Sequence, residues 1–128
     1  MGSGTVLAAA AARGCHRLLG SDVNPTFVER ARSNLEASGA LEGRESRLFV
    51  HDATAEIPSE CLLASPEARF KSSRMVVVSN PPWGNNIGSE TDGVAIVRSV
   101  VAQCRGATLC WIANPLALQV LRCTACTA

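Results

Sequence analysis

Asn80-Pro81-Pro82-Trp83-Gly84 follows directly on the apolar run Met75-Val76-Val77-Val78-Ser79. Two prolines stiffen the turn, so the asparagine amide oxygen and a neighbouring main-chain carbonyl can be held as converging acceptors at small entropic cost. Such a pair suits a planar amino group. Trp83 adds a flat surface on which a base could stack, worth about 1 to 3 kcal/mol per base. The same residues would also serve as a proline-stiffened turn with a tryptophan in the core.

Three further stretches carry candidate chemistry. Gly2-Ser3-Gly4-Thr5 opens onto an alanine-rich run, which sets bare backbone N–H groups and the positive end of a helix dipole against an electron-rich group. A dinucleotide fingerprint needs a third glycine where Leu7 stands, and no Gly-Lys-Ser/Thr phosphate loop follows. Pyrophosphate is disfavoured. A nucleoside without a bulky phosphate tail remains, or a glycine turn needed only to enter a helix. Asp22 follows Gly4 at close to the offset where an acid ending the next strand reaches a ribose diol. Asp52 repeats the arrangement one strand later, where an acid could accept from an adenine amino group. Either could also be an exposed acid at a strand end.

These loops need regular elements to hold them. Residues 5–13 predict a helix ended at Gly14. Residues 16–23, with Leu18-Leu19 and a polar end at Ser21-Asp22, predict a short buried strand. Asn24 suits an N-cap and Pro25 the first helical position, and Phe27, Val28, Ala31 and Leu35 share one face before Gly39. Residues 47–51 predict a second strand, and residues 53–73, with Pro58 and Pro66, one short helix at most. Residues 75–79 read as a third strand buried on both faces, stopped by the prolines. Asp92 is expected to cap a helix carrying Val94, Val97, Val101 and Cys104 on one stripe. Residues 107–113 predict a fourth strand, and residues 116–122 begin a last helix. This alternation predicts an α/β fold with a parallel sheet and helices on its faces. Ligands then sit beyond the carboxyl ends of the strands, so all four loops should line one rim.

The chain has 128 residues, which is one domain's worth. With 47% apolar and 18% charged residues it is composed to fold around a core. A net charge of +1 supplies no field able to hold nucleic acid by phosphate neutralisation alone. All cations except Lys71 are arginines, which with the abundant alanine is what GC-rich coding produces. Cys15, Cys61, Cys104, Cys110, Cys123 and Cys126 are scattered through apolar segments and read as reduced and intracellular. Residues 6–12 are too short for a signal peptide and lack a preceding cation, and no window is long enough to span a bilayer. A soluble, cytoplasmic protein is expected, with nucleus or organelle left open. Cys123 and Cys126 have zinc-ligand spacing, but no second paired motif accompanies them, so no metal is expected. His16 and His51 flank strands without an obvious acidic partner and are expected to be satisfied structural residues.

Gly2-Ser3-Gly4-Thr5, Gly20-Ser21-Asp22-Val23-Asn24-Pro25, Val50-His51-Asp52-Ala53 and Ser79-Asn80-Pro81-Pro82-Trp83-Gly84, in that order and spacing, resemble the class I S-adenosylmethionine-dependent methyltransferases that modify exocyclic amines. The chain is most similar to the RNA methylases that accompany THUMP domains and act on guanine N2. The resemblance covers nearly the whole chain and implies a Rossmann-like core, with residues 1–128 as one partial catalytic domain. By that resemblance Gly2, Ser3, Gly4 and Thr5 line the methionine part of S-adenosylmethionine. Asp22, with Val23 and Asn24, holds the ribose; Asp52 and Ala53 hold the adenine; and Asn80, Pro81, Pro82 and Trp83 take the acceptor base. The implied reaction is direct in-line methyl transfer to an amine nitrogen whose protons are drawn by Asn80 and the Pro81 carbonyl, with no dedicated general base. The target base must be flipped out or lie in a loop.

Relatives carry a strand ending Asp-Pro-x ahead of the residues matching Met1-Gly2-Ser3-Gly4, between the strands at residues 16–23 and 75–79. They also carry a closing hairpin after the residue matching Arg122, and Asn85-Asn86 stands where they often have a cation. The resemblance therefore implies an incomplete site, and RNA, whether tRNA or rRNA, reached through a recognition domain outside this chain. Two other readings stand beside it: a non-catalytic module that binds a partner, and a methyltransferase acting on a protein glutamine amide. Trp83 favours a base over the latter.

Overall fold

The computed structural model describes residues 1–58, 76–82, 90–104 and 108–111. The chain divides into two compact units, Met1–Arg69 and Phe70–Ala128.

The first unit runs α1 (Thr5–Ala12), β1 (Arg17–Asp22), α2 (Pro25–Ala37), β2 (Glu45–Val50). The two strands are parallel, in register from Arg17 opposite Glu45 to Asp22 opposite Val50. β2 begins earlier than the apolar run suggested, because the Glu45 N–H donates to His16 O at 3.0 Å and starts the ladder there. α2 starts as its sequence demands. The Asn24 side chain accepts from the Thr26 N–H at 2.9 Å, and Pro25 occupies the first turn, where no donor is missed. Val28, Ala31 and Leu35 are buried at helical spacing. Phe27 is only half-buried, and the Arg30 guanidinium lies 5.8 Å from its ring centroid.

Both helices end in the same way. At the end of α2, Ala40 N–H donates to Leu35 O at 2.9 Å and Gly39 N–H to Glu36 O at 3.0 Å, with Gly39 at φ 67. A side chain would be strained in that left-handed conformation, which is why glycine closes the helix. At the end of α1, Cys15 N–H donates to Ala10 O at 3.1 Å and Gly14 N–H to Ala11 O at 2.9 Å. Leu35 and Ala40 then meet Ala11 and Leu18 in the core, with Leu7, Ala8, Ala10, Leu41 and Leu48 packed around them. Burying each of the leucines contributes on the order of 1.5 to 3 kcal/mol.

Arg44 joins the two helix ends. Its Nε donates to Cys15 O at 3.1 Å and its Nη2 to Ala11 O at 3.0 Å, while its Nη1 donates to Ala40 O at 3.3 Å and Glu42 O at 3.1 Å. Ala11 O lies in the last turn of α1, at its negative end, where a fixed positive fork is favoured, and Cys15 O, Ala40 O and Glu42 O belong to the turns that follow the two helices.

In the second unit, β3 (Val76–Ser79) and β4 (Thr108–Trp111) are parallel, with Val76 opposite Thr108 and Ser79 opposite Trp111; α3 (Glu90–Gln103) connects them in sequence. The expected stripe on α3 centres on Val97. Gly93, Val97 and Cys104 are buried, whereas Val94 and Val101 are only half-buried. Burial pushes the Cys104 thiol pKa up. Two expectations are corrected here. Asp92 lies inside the first turn of α3 rather than at its cap, because the helix is already formed at Glu90. The valine run is not buried on both faces: Val76 is 59% and Val78 46% exposed, alternating with half-buried Val77 and Ser79, so one face of the strand stands open.

The described strands thus form two separate parallel pairs within a small α/β structure. Residues 59–75, part of the stretch expected to hold a short helix, and the last helix expected at 116–122 lie outside the described residues. Among the described residues no helix is long and apolar enough to cross a membrane.

Arg44→Lys keeps the charge but loses the fork, and should lower unfolding free energy by about 1 to 2 kcal/mol, with Arg44→Ala costing about 3 kcal/mol. Urea titration followed by circular dichroism reads both; a lysine variant as stable as the parent would show that charge alone closes the helix ends.

Candidate functional site

The carboxyl ends of β1 and β2 gather one group of the expected residues. Asp22 is its centre. Its Oδ2 accepts from the Gly2 N–H at 2.9 Å and from the Met1 amino group at 3.2 Å, and its Oδ1 accepts from the Asn24 N–H at 3.0 Å. Burial raises the Asp22 pKa, but the Gly2 and Asn24 N–H groups and the Met1 amine outweigh it and leave the carboxyl below its ordinary value. A carboxylate has about four acceptor positions, and the contacts to Met1, Gly2 and Asn24 fill three of them.

The glycine loop is held from two sides. Gly4 sits at φ 84, and a Cβ there would come within 3.2 Å of Ala31 Cβ and 3.3 Å of Ala31 Cα, so the loop lies directly on α2. Asn34 Nδ2 donates to Ser3 O at 3.1 Å, and Ser3 Oγ and Thr5 Oγ1 are 2.9 Å apart. Gly4 is the N-cap of α1 and has no side chain to cap with, and among the described residues no side chain caps the first-turn N–H groups. They form a positive helix end beside the strand end.

Asp52 is reached through the sheet: His51 N–H donates to Asp22 O at 3.0 Å and extends the ladder one step beyond Val50. Asp52 Oδ1 accepts from the Thr54 N–H at 2.8 Å and the Thr54 hydroxyl at 2.7 Å, and these bonds lower its pKa. Its Oδ2 makes no hydrogen bond among the described residues. Ala53 is half-buried within the turn closed by Ala55 N–H to Asp52 O at 2.9 Å. This rim carries apolar surface as well: Val23, next to Asp22 in sequence, is 68% exposed, and Val50 is 54% exposed. Asp22 and Val50 are register partners, so both side chains leave the same face of the sheet.

The other expected group lies in the second unit. Directly after β3, Asn80 is exposed, Pro81 buried and Pro82 half-buried, so the asparagine amide projects from an anchored corner. Trp83 lies outside the described residues.

Some features had no place in the sequence reading. Thr54 could have been foreseen, because an aspartate followed two positions later by threonine is an Asx-turn pattern. Asn34 carried no signal, its partner lying far away in sequence. His51 was expected to be satisfied, but its Nε2 is buried without a hydrogen-bond partner among the described residues, the ring tilted against Phe49 at 5.7 Å between centroids. His16 is exposed. Among the described residues no group of three His, Cys, Asp or Glu side chains is placed to hold a metal, and Cys123 and Cys126 lie outside them.

No family model matches the chain, and no curated protein or solved structure matches it.

Because the folded pKa of Asp22 is depressed, its stabilising contribution is complete where the unfolded carboxyl is already ionised, above about pH 5, and is lost as pH falls through the folded value. Asp22→Asn should therefore cost about 1 to 2 kcal/mol at neutral pH and show a shallower loss of stability between about pH 5 and 2. Urea unfolding of both proteins across that range provides the comparison; parallel curves would remove Asp22 as the source.

Proposed function

We propose that the chain is the core of an S-adenosylmethionine-dependent methyltransferase of Rossmann-like fold, acting on an exocyclic amine of a nucleobase in RNA, guanine N2 or adenine N6. The observation that carries this reading is the contact of Gly2 N–H with the Asp22 carboxylate at 2.9 Å, which puts a glycine-opened helix end and a strand-end acid side by side. A nucleoside donor with an amino-acid tail needs that pairing.

The residues fit such a donor. Asp22 keeps one acceptor position for a ribose hydroxyl, and Asp52 Oδ2 is open to an adenine amino group. Val23 and Val50 offer the exposed apolar surface a base covers. Among the described residues no side chain caps the α1 end, which suits a carboxylate. When bound, S-adenosylmethionine supplies an electrophilic methyl group on a positively charged sulfur. The chain's own part is positioning: the Asn80 amide oxygen and the Pro81 carbonyl accept from the amine and turn its lone pair outward. Stiffness of the corner keeps that geometry without reorganisation at the moment of reaction.

The reading of a non-catalytic partner-binding module draws on the exposed Val76 and Val78. Calorimetry separates the two. S-adenosylhomocysteine should bind saturably, and Asp22→Ala should weaken it about tenfold, the loss of roughly one charge-assisted hydrogen bond. No heat of binding at millimolar ligand would favour the module. In an active form, with an added amino-terminal strand ending Asp-Pro-x, Asn80→Ala should cut turnover on an RNA acceptor by about 100-fold or more while donor affinity changes less than about threefold. Equal losses in both would remove Asn80 from the acceptor role.

A further inference from the structure

Gly20 stands inside β1, buried, with Leu48 opposite it on β2. A glycine within a strand gives up rigidity and side-chain packing, and commonly marks a place where another part of the chain comes close. Here that part is Met1. A Cβ on Gly20 would come within 2.5 Å of Met1 Sδ, 2.7 Å of Leu7 Cδ1 and 3.0 Å of Leu48 Cδ2, so these side chains already fill the room a methyl group would need. The Met1 side chain is 3% exposed, and Leu7 and Leu48 both pack against the core cluster, which leaves little space for any of the three to move into. Gly20 is thus the floor of a socket for Met1. Two residues on, Asp22 leaves the same face of the strand. Its Oδ2 accepts from the Gly2 N–H at 2.9 Å and the Met1 amino group at 3.2 Å, whereas its Oδ1 accepts from the Asn24 N–H two residues along. The Oδ2 contacts come from the segment seated in the socket; the Oδ1 contact is local.

Resting on the function proposed above, we infer that Gly20 is a positioning residue of the donor site: the side chain it lacks is what lets Met1 seat against β1 and keep the Gly2 N–H on Asp22. Gly20→Ala displaces Met1, draws the glycine loop off Oδ2 and leaves the Oδ1 contact as it is. The ribose of the donor then meets a carboxylate fixed from one side only.

Carbon-13 NMR titration of the aspartate carboxyls reads the first step and calorimetry with S-adenosylhomocysteine the second, each on the full chain and on Gly20→Ala. Asp22 should titrate at higher pH in Gly20→Ala than in the parent, since it loses the Gly2 bond that lowers its pKa, while Asp52, held by Thr54, should titrate as before. S-adenosylhomocysteine should bind about tenfold more weakly. Should Gly20→Ala alone fail to fold, the pair Gly20→Ala/Leu7→Val, in which Cδ1 is withdrawn from the socket, is compared with Leu7→Val in the same two measurements. An unmoved Asp22, or equal movement of Asp22 and Asp52, in a parent that binds the ligand overturns the role of Gly20 alone. A parent that binds none overturns the donor reading, and the donor part of this inference with it, while the Asp22 titration still decides the socket.

Discussion

One carboxylate organises the first unit. Asp22 ends β1, and by accepting from Gly2 it draws the chain preceding α1 onto the strand end, while accepting from Asn24 it launches α2. Three segments thereby converge on one point: the entry to α1, the end of β1 and the start of α2. The bonds are charge-assisted, and each is worth more than a neutral one, because the N–H donors face a charge that burial would otherwise penalise. The same bonds use up most of the carboxylate's capacity. An acid that ties three segments together in this way has correspondingly fewer acceptor positions open.

At the opposite end of the same helices, Arg44 does the complementary work. Helices α1 and α2 both stop with glycine-assisted turns, and both leave carbonyls that a guanidinium can reach. The unit is thus pinned by an anion near the helix starts and a cation at the helix ends, each sign matched to the dipole it faces. Between them lies a small core in which alanine is as prominent as leucine. Alanine lets α1 approach closely but buries little area, so the polar clasps carry a larger share of the specificity than they would in a leucine-rich core.

Local signals were legible where a residue acts on its near neighbours. The N-cap at Asn24, the proline after it, the glycine stop at Gly39 and the spacing of Val28, Ala31 and Leu35 all appear as read, because each depends on interactions within a turn or two. The candidate residues near the β1 and β2 ends were legible for a related reason: a glycine turn before a helix and an acid after a strand are both end effects. What could not be read was anything set by covering. The valine run at β3 has the composition of a doubly buried strand, yet composition states only that a face can be buried, and Val76 and Val78 remain exposed. The occupancy of Asp22 and the reach of Asn34 were illegible too, since both join segments distant in sequence.

The corner after β3 turns that limitation into a physical argument. Asn80 is exposed while Pro81, immediately after it, is buried. A side chain projecting from a freely moving loop would sample many directions and would lose that freedom on meeting an amine, at a cost of about 1 to 2 kcal/mol per ordered residue. Here the buried proline has its φ fixed by covalent geometry and restricts the backbone of Asn80 before it, so part of the backbone entropy of the corner is already lost in the free protein. On the proposed reading, that backbone restriction is what would let the asparagine meet a planar nitrogen with less freedom to lose, in a reaction where small errors in direction cost large factors in rate.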